Sequence, residues 1–149
     1  MKKKHLIFML SFLISCTRNH IETTDTLSKT DIDYIQSLNL LAKGEKIYKF
    51  YSEYKKKVAG NFFTNKRIAK YWIDERNKEK SQILFAFYPD IKSIDTIYNP
   101  GATYCPYLLI TKLDDTQFKI CADGKREDIK SFFEDAIKQW QQHKNDTVK

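Results

Sequence analysis

Only four glycines and three prolines punctuate the 149 residues, and the three histidines, His5, His20 and His143, stand near the two ends. With so little glycine there is no loop of the kind that cradles phosphate, which argues against a nucleotide-binding fold. The scattered histidines form no cluster with cysteine at metal-ligand spacing, so no metal or other cofactor is implied. No serine sits in a nucleophile elbow. The one conspicuous acidic pair, Asp114-Asp115, falls where a turn is expected, the ordinary place for such residues. These absences make a non-catalytic protein the expectation. Long hydrophobic runs are missing too. The longest, Leu6 to Ile14, is broken only by Ser11 and is too short to span a bilayer as a helix.

What is present is a packed globule. Hydrophobic residues make up 42% and aromatics 14%, too much for a disordered chain. The length suits one domain with a real core. Abundant Tyr and Phe beside scarce Gly and Pro favour strands with aromatic cross-strand pairs. The formal charge of +7 owes much to Lys2, Lys3 and Lys4; without residues 1–15 the chain has 23 basic and 19 acidic residues, a net of +4. A surplus of that size serves solubility and does not point to nucleic acid.

The first sixteen residues, MKKKHLIFMLSFLISC, have the layout of an export signal: a lysine-rich start, an apolar stretch and a small residue before the end. Leu13-Ile14-Ser15-Cys16 resembles the lipobox of bacterial lipoproteins. The resemblance implies removal of residues 1–15, acylation of Cys16 and a stable membrane anchor, since each buried methylene contributes roughly 0.8 kcal/mol. Thr17 in place of an aspartate implies, by analogy with sorting in enteric bacteria, the outer membrane and a periplasm-facing domain. Residues 16–30, rich in threonine, then read as the lipidated cysteine and a flexible tether.

Beyond the tether, Ile32, Ile35 and Leu38 predict a short helix over 31–42, with Thr30 or Asp31 as its N-cap and Gly44 as its stop. The period then changes to two. Strands are expected at 46–52, 58–63, 66–74, 81–87, 91–98, 104–112 and 116–122. The stretch Asn61 to Ile73 reads as a hairpin about Asn65-Lys66, with Thr64 opposite Arg67, Phe62 opposite Ala69 and Gly60 opposite Tyr71. That register sends Val58, Phe62, Ala69, Tyr71 and Ile73 into the core and leaves Phe63, Ile68 and Trp72 on an outer face. These three form a candidate partner surface. A final helix over 126–142 carries Ile129, Phe132, Phe133, Ala136, Ile137 and Trp140 on one face, and residues 145–149 should fray.

Cys105 and Cys121 remain. Export permits a disulfide. A two-residue turn at Asp114-Asp115 would put them out of register and on opposite faces, whereas a bulge near Pro106 would bring them together.

The order of elements, with Gly44-Glu45-Lys46-Ile47, then Thr64-Asn65-Lys66-Arg67, then Asp90-Ile91-Lys92-Ser93-Ile94, resembles bacterial PH-like and GRAM-like domains over about residues 38–142. The resemblance implies a mainly β fold with helices, a seven-stranded, partly open barrel or sandwich over 31–144 that a C-terminal amphipathic helix caps. Thr64 and Arg67 would fasten the hairpin, and Asp90 would cap a turn or pair with Arg67. The run Lys55-Lys56-Lys57 lies in the loop that binds inositol phosphates in eukaryotic relatives of the fold, which implies a site for anionic headgroups. Three functions fit: an envelope lipoprotein binding a protein or peptide partner, an immunity-type lipoprotein neutralising a toxin, and an anionic-lipid binder.

Overall fold

The computed structural model describes residues 20–102 and 104–146, so Cys16 and the expected export signal lie outside the described residues. Two antiparallel sheets and two helices make up the fold. One sheet has the order β1 (Ile47–Tyr51), β2 (Ala59–Thr64), β3 (Arg67–Trp72), β4 (Gln82–Phe87). The other has the order β5 (Ile91–Ile97), β6 (Tyr107–Lys112), β7 (Gln117–Cys121). Helix α1 (Lys29–Ser37) precedes the sheets and α2 (Arg126–His143) follows them. None of the described helices is long and apolar enough to cross a membrane.

The β2–β3 hairpin has the expected register, with Phe62 opposite Ala69, Asn61 opposite Lys70 and Gly60 opposite Tyr71. Its faces do not divide as the alternation suggests. Phe62, Ala69 and Tyr71 pack with Ile35, Leu40 and Phe50 under α1. On the other face Phe63 and Ile68, expected outside, are completely buried against Leu108, Ile120, Phe132 and Phe133. The β2–β3 hairpin is thus covered on both sides, and a strand with two covered faces has no solvent face to mark. Of the three proposed surface residues only Trp72 is exposed, at 41%.

The caps explain the helix boundaries. Helix α1 begins earlier than its apolar pattern suggests because Ser28, not Thr30 or Asp31, caps it. The Asp31 amide donates to the Ser28 hydroxyl at 3.1 Å, and the Asp31 carboxylate accepts from the Ser28 amide at 3.3 Å. This reciprocal pair satisfies two donors that the first turn would otherwise leave unmatched. The helix also stops before Gly44, with Asn39 in the left-handed region at φ 58° just after it. Residues ahead of α1 are packed rather than loose. Glu22 pairs with Phe50 along the outer edge of β1, and the buried Leu27 joins the core under α1. The folded unit therefore starts well before residue 31. Helix α2 follows its predicted stripe, burying Ile129, Phe132, Phe133 and Ala136. Each large apolar side chain withdrawn from water there contributes about 1.5–3 kcal/mol.

The β6–β7 connection corrects a second expectation. Lys112, rather than Leu113, lies opposite Thr116, and Asp115 adopts a left-handed φ of 63°. The loop thus has three residues with the third left-handed, a common hairpin form. The single-residue shift sets Cys121 opposite Tyr107 and puts Cys105 and Cys121 on one face. They form a disulfide, with Cα atoms 5.8 Å apart.

Candidate functional site

Thr64 and Arg67 hold structure together, and their main partner is Glu45. The guanidinium of Arg67 donates twice to the Glu45 carboxylate, Nε to Oε1 at 2.9 Å and Nη2 to Oε2 at 2.8 Å. Thr64 Oγ1 donates to Glu45 Oε1 at 2.6 Å and accepts from the backbone amides of Lys66 and Arg67 at 2.9 and 3.0 Å. The Ala42 amide donates to Glu45 Oε2 at 2.9 Å. The Arg67 guanidinium lies over the rings of Phe87 and Phe85, 4.5 and 5.1 Å from their centroids. This closed, buried set ties the segment before β1 to the β2–β3 turn and leaves Glu45 no free acceptor to offer a ligand. The partner of Arg67 is Glu45 and not Asp90, whose carbonyl instead accepts from the Leu113 amide.

The three lysines between β1 and β2 do not act as a unit. Lys56 pairs with Glu22 at 2.7 Å and with Asp31 at 3.2 Å, pinning the N-terminal segment and α1 to the loop. Burial works against the charge on Lys56, but the two carboxylates outweigh it and raise its pKa. The Tyr71 hydroxyl donates to the Lys56 carbonyl, and the Tyr34 hydroxyl to that of Lys57. Lys55 lies 5.4 Å from the ring of the exposed Tyr54. Only Lys55 and Lys57 of the run are exposed.

The sheet edges differ in a way that singles out β4. The outer edge of β1 is met by Glu22, and β7 lies against β2, where the Cys121 amide donates to Asn61 Oδ1 at 3.1 Å. The outer strand β5 exposes Lys92, Asp95 and Thr96, the kind of polar guard that discourages pairing. Strand β4 reads Gln-Ile-Leu-Phe-Ala-Phe and has no charge and no proline. Among the described residues no strand pairs with its outer edge. Ile83, Leu84 and Phe85 are exposed in succession, at 42%, 38% and 38%. Leu84 lies opposite Lys70 and Gln82 opposite Trp72 on β3, so one face of this edge continues into Trp72. The sequence placed a strand here without singling out these residues. The available signal is five consecutive apolar residues, Ile83 to Phe87, with no alternation, which is ambiguous between a buried strand and an unguarded edge.

Beside that face lies a basic, aromatic corner. Lys70 is half-buried, and burial is the main cause lowering its pKa, opposed by Glu53 and reinforced by Lys119. The Lys119 ammonium is 4.6 Å from the ring centroids of both Tyr104 and Tyr107. The Asn61–Cys121 bond joins the two sheets here, since Asn61 lies opposite Lys70, and Cys121 is two residues beyond Lys119 on β7. Asn61 Nδ2 donates to the Glu53 carboxylate at 2.9 Å. Among the described residues neither Lys70 nor Lys119 forms an ion pair, and no group of His, Cys, Asp and Glu is arranged to hold a metal.

This arrangement defines a mostly β fold of two antiparallel sheets with a C-terminal helix, similar to a pleckstrin-homology domain. A DUF1696 family protein with a pleckstrin-homology domain from Shewanella loihica superposes with a TM-score of 0.51 at 12% identity, covering 85% of this chain and 98% of its own. At that identity the likeness concerns the fold alone. No protein-family model matches the chain, and no curated protein matches it.

Proposed function

We propose that the chain is a lipid-anchored protein of the bacterial envelope, held through Cys16, whose PH-like domain is a non-catalytic binding module. Its partner is a protein that adds an extended segment to the outer edge of β4. The observation that carries this reading is the unguarded run Ile83-Leu84-Phe85 on an outer strand with no charge or proline. Such an edge offers a row of backbone donors and acceptors together with side-chain contacts, the ingredients of strand addition. Left bare it invites aggregation, and the molecule guards its other edges. The export signal and lipobox support the anchor, and Thr17 supports the outer membrane with the domain facing the periplasm. An anchored domain meets its partners locally, so modest affinity per contact suffices.

The test is a photo-crosslinking residue placed at Ile83, Leu84 or Phe85 of the full-length protein in its native envelope, with Lys43 as control. The expected result is one adduct of constant mass from the β4 positions and none from Lys43. An identical pattern from all positions, or no adduct, would overturn the reading. The anchor has its own test: Cys16→Ser should move the protein from the detergent phase to the aqueous phase, and unchanged partitioning would remove Cys16 from the account.

A further inference from the structure

We infer that the segment received at β4 is acidic, and that Lys70 and Lys119 accept its carboxylate at the corner between the two sheets. The inference rests on the strand-addition reading above and supplies the chemistry of the partner. Three observations converge on it. Along β3, Ile68, Lys70 and Trp72 alternate onto one face, the face that packs on the second sheet at Ile68. Ile120 of β7 points into that shared core, so Lys119 and Cys121 lie on the opposite face of the second sheet. The Asn61–Cys121 bond fixes β7 against β2 at this point. Past β7, therefore, the inner face of the first sheet and the outer face of the second meet at an angle. Lys70 stands on one wall, and Lys119 with Tyr104 and Tyr107 on the other.

The charge in this corner is unbalanced. The two ammonium groups repel one another, and Lys119 helps lower the pKa of Lys70. Glu53, the acid that favours the charge on Lys70, is exposed and already accepts a bond from Asn61. Elsewhere the protein pairs its partly buried cations: Arg67 with Glu45, Lys56 with Glu22 and Asp31, Lys49 with Asp135. Among the described residues Lys70 and Lys119 are the half-buried pair left for an outside anion. A carboxylate entering between them gains two charge-assisted bonds and relieves their repulsion. The Tyr104 and Tyr107 rings, set edge to face, offer apolar contact for the rest of the side chain, and Leu84 and Trp72 form an apolar path from the β4 edge to the corner. An acidic side chain on the inner face of an added strand fits this layout; a basic one would meet two like charges.

The experiment uses detergent-solubilised full-length protein at low ionic strength and two blocked peptide probes, one alternating Val and Glu, the other alternating Val and Gln. Binding is followed by calorimetry. The Glu peptide should bind about tenfold more tightly than the Gln peptide. Lys70→Gln with Lys119→Gln should abolish that preference, and Lys70→Arg with Lys119→Arg should retain it. Lys119→Gln alone should reduce the preference and guards against misfolding of the double variant. Equal binding of the two peptides, or a preference that survives the Gln variants, would overturn the acidic-partner inference and leave strand addition standing. Lysine-dependent Glu-peptide binding that the uncharged Leu84→Asn does not weaken would retain the acidic site and refute strand addition. Failure of both peptides to bind would overturn both.

Discussion

Replacing Glu45 with Gln should destabilise the protein by about 3 kcal/mol, at the lower end of what breaking a buried ion pair costs. The Glu45 side chain is wholly buried and that of Arg67 is 7% exposed, so water cannot step in. The carboxylate accepts from Arg67 Nε, Arg67 Nη2, Thr64 Oγ1 and the Ala42 amide. Gln keeps the shape and one acceptor oxygen. In place of the second it brings an NH2 group, which must face either Arg67 and Ala42 or Arg67 and Thr64, donor against donor. Arg67 then keeps its stacking on Phe85 and Phe87 but loses its counter-charge in a buried setting. Cations over exposed rings gain about 0.5–1 kcal/mol, more when desolvated, which cannot replace a bidentate carboxylate. Urea unfolding at neutral pH, followed by circular dichroism and extrapolated to water, measures the cost. The paired replacement Glu45→Leu with Arg67→Met should recover only part of the loss, since the two charges go together while the Thr64 hydroxyl and the Ala42 amide lose their acceptor. A loss below about 1 kcal/mol for Glu45→Gln would refute the reasoning, because it would mean that the cluster is hydrated or that Arg67 finds another anion.

Other perturbations test separate parts of the fold. Phe63→Ala should cost about 3–5 kcal/mol by opening a cavity between the sheets, whereas Trp72→Ala, at a partly exposed position, should cost less, about 1–2 kcal/mol; paired urea curves compare them. Gly60→Ala should cost about 1–3 kcal/mol in the same assay, because a Cβ there would sit 2.5 Å from the Tyr71 ring, which is held by its bond to the Lys56 carbonyl. Replacing Cys105 and Cys121 with Ser should cost about 3 kcal/mol for a closed loop of this length, and the unreduced protein should weigh two hydrogens less than the reduced one by mass spectrometry. Burial works against the charge of Asp31, yet bonds from Ser28 and Lys56 outweigh it and hold its pKa below the ordinary carboxylate value. A depressed folded pKa stabilises fully above the unfolded value, about 4, and the contribution fades as pH falls through the folded one. Asp31→Asn should therefore flatten the fall in stability below about pH 4, measured by urea midpoints across pH.

The parts of this fold legible in the sequence are those with a one-sided pattern. The β2–β3 register could be read because Asn65-Lys66 marks the turn and Asn61 and Lys70 fall opposite one another. Helix α2 could be read because Ile129, Phe132, Phe133 and Ala136 share one face. Phe63 and Ile68 read as outward-facing because alternation assumes one wet face, and this hairpin is covered on one side by α1 and on the other by the second sheet and α2. The start of α1 was hidden in a threonine-rich stretch, where Ser28 is one of several possible caps. The disulfide hinged on a single residue: Asp115 in the left-handed region lengthens the turn, and a one-residue shift moves every side chain to the opposite face. Glu45 was visible in its motif, but pairing it with Arg67 requires knowing how the chain before β1 folds over the hairpin. The β4 edge is not legible in the sequence because strand order is a tertiary fact: Ile83-Leu84-Phe85 means one thing in the middle of a sheet and another at its border.

Amide hydrogen exchange across Gln82–Phe87, compared between purified protein and the protein in its native envelope, tests the strand-addition reading most directly. The alternate β4 amides that do not bond to β3 should exchange quickly in the purified protein and become protected in the envelope, while exposed amides of β5 stay fast in both. Equally rapid exchange of those β4 amides in both settings would contradict the claim that this edge is where a partner adds its strand.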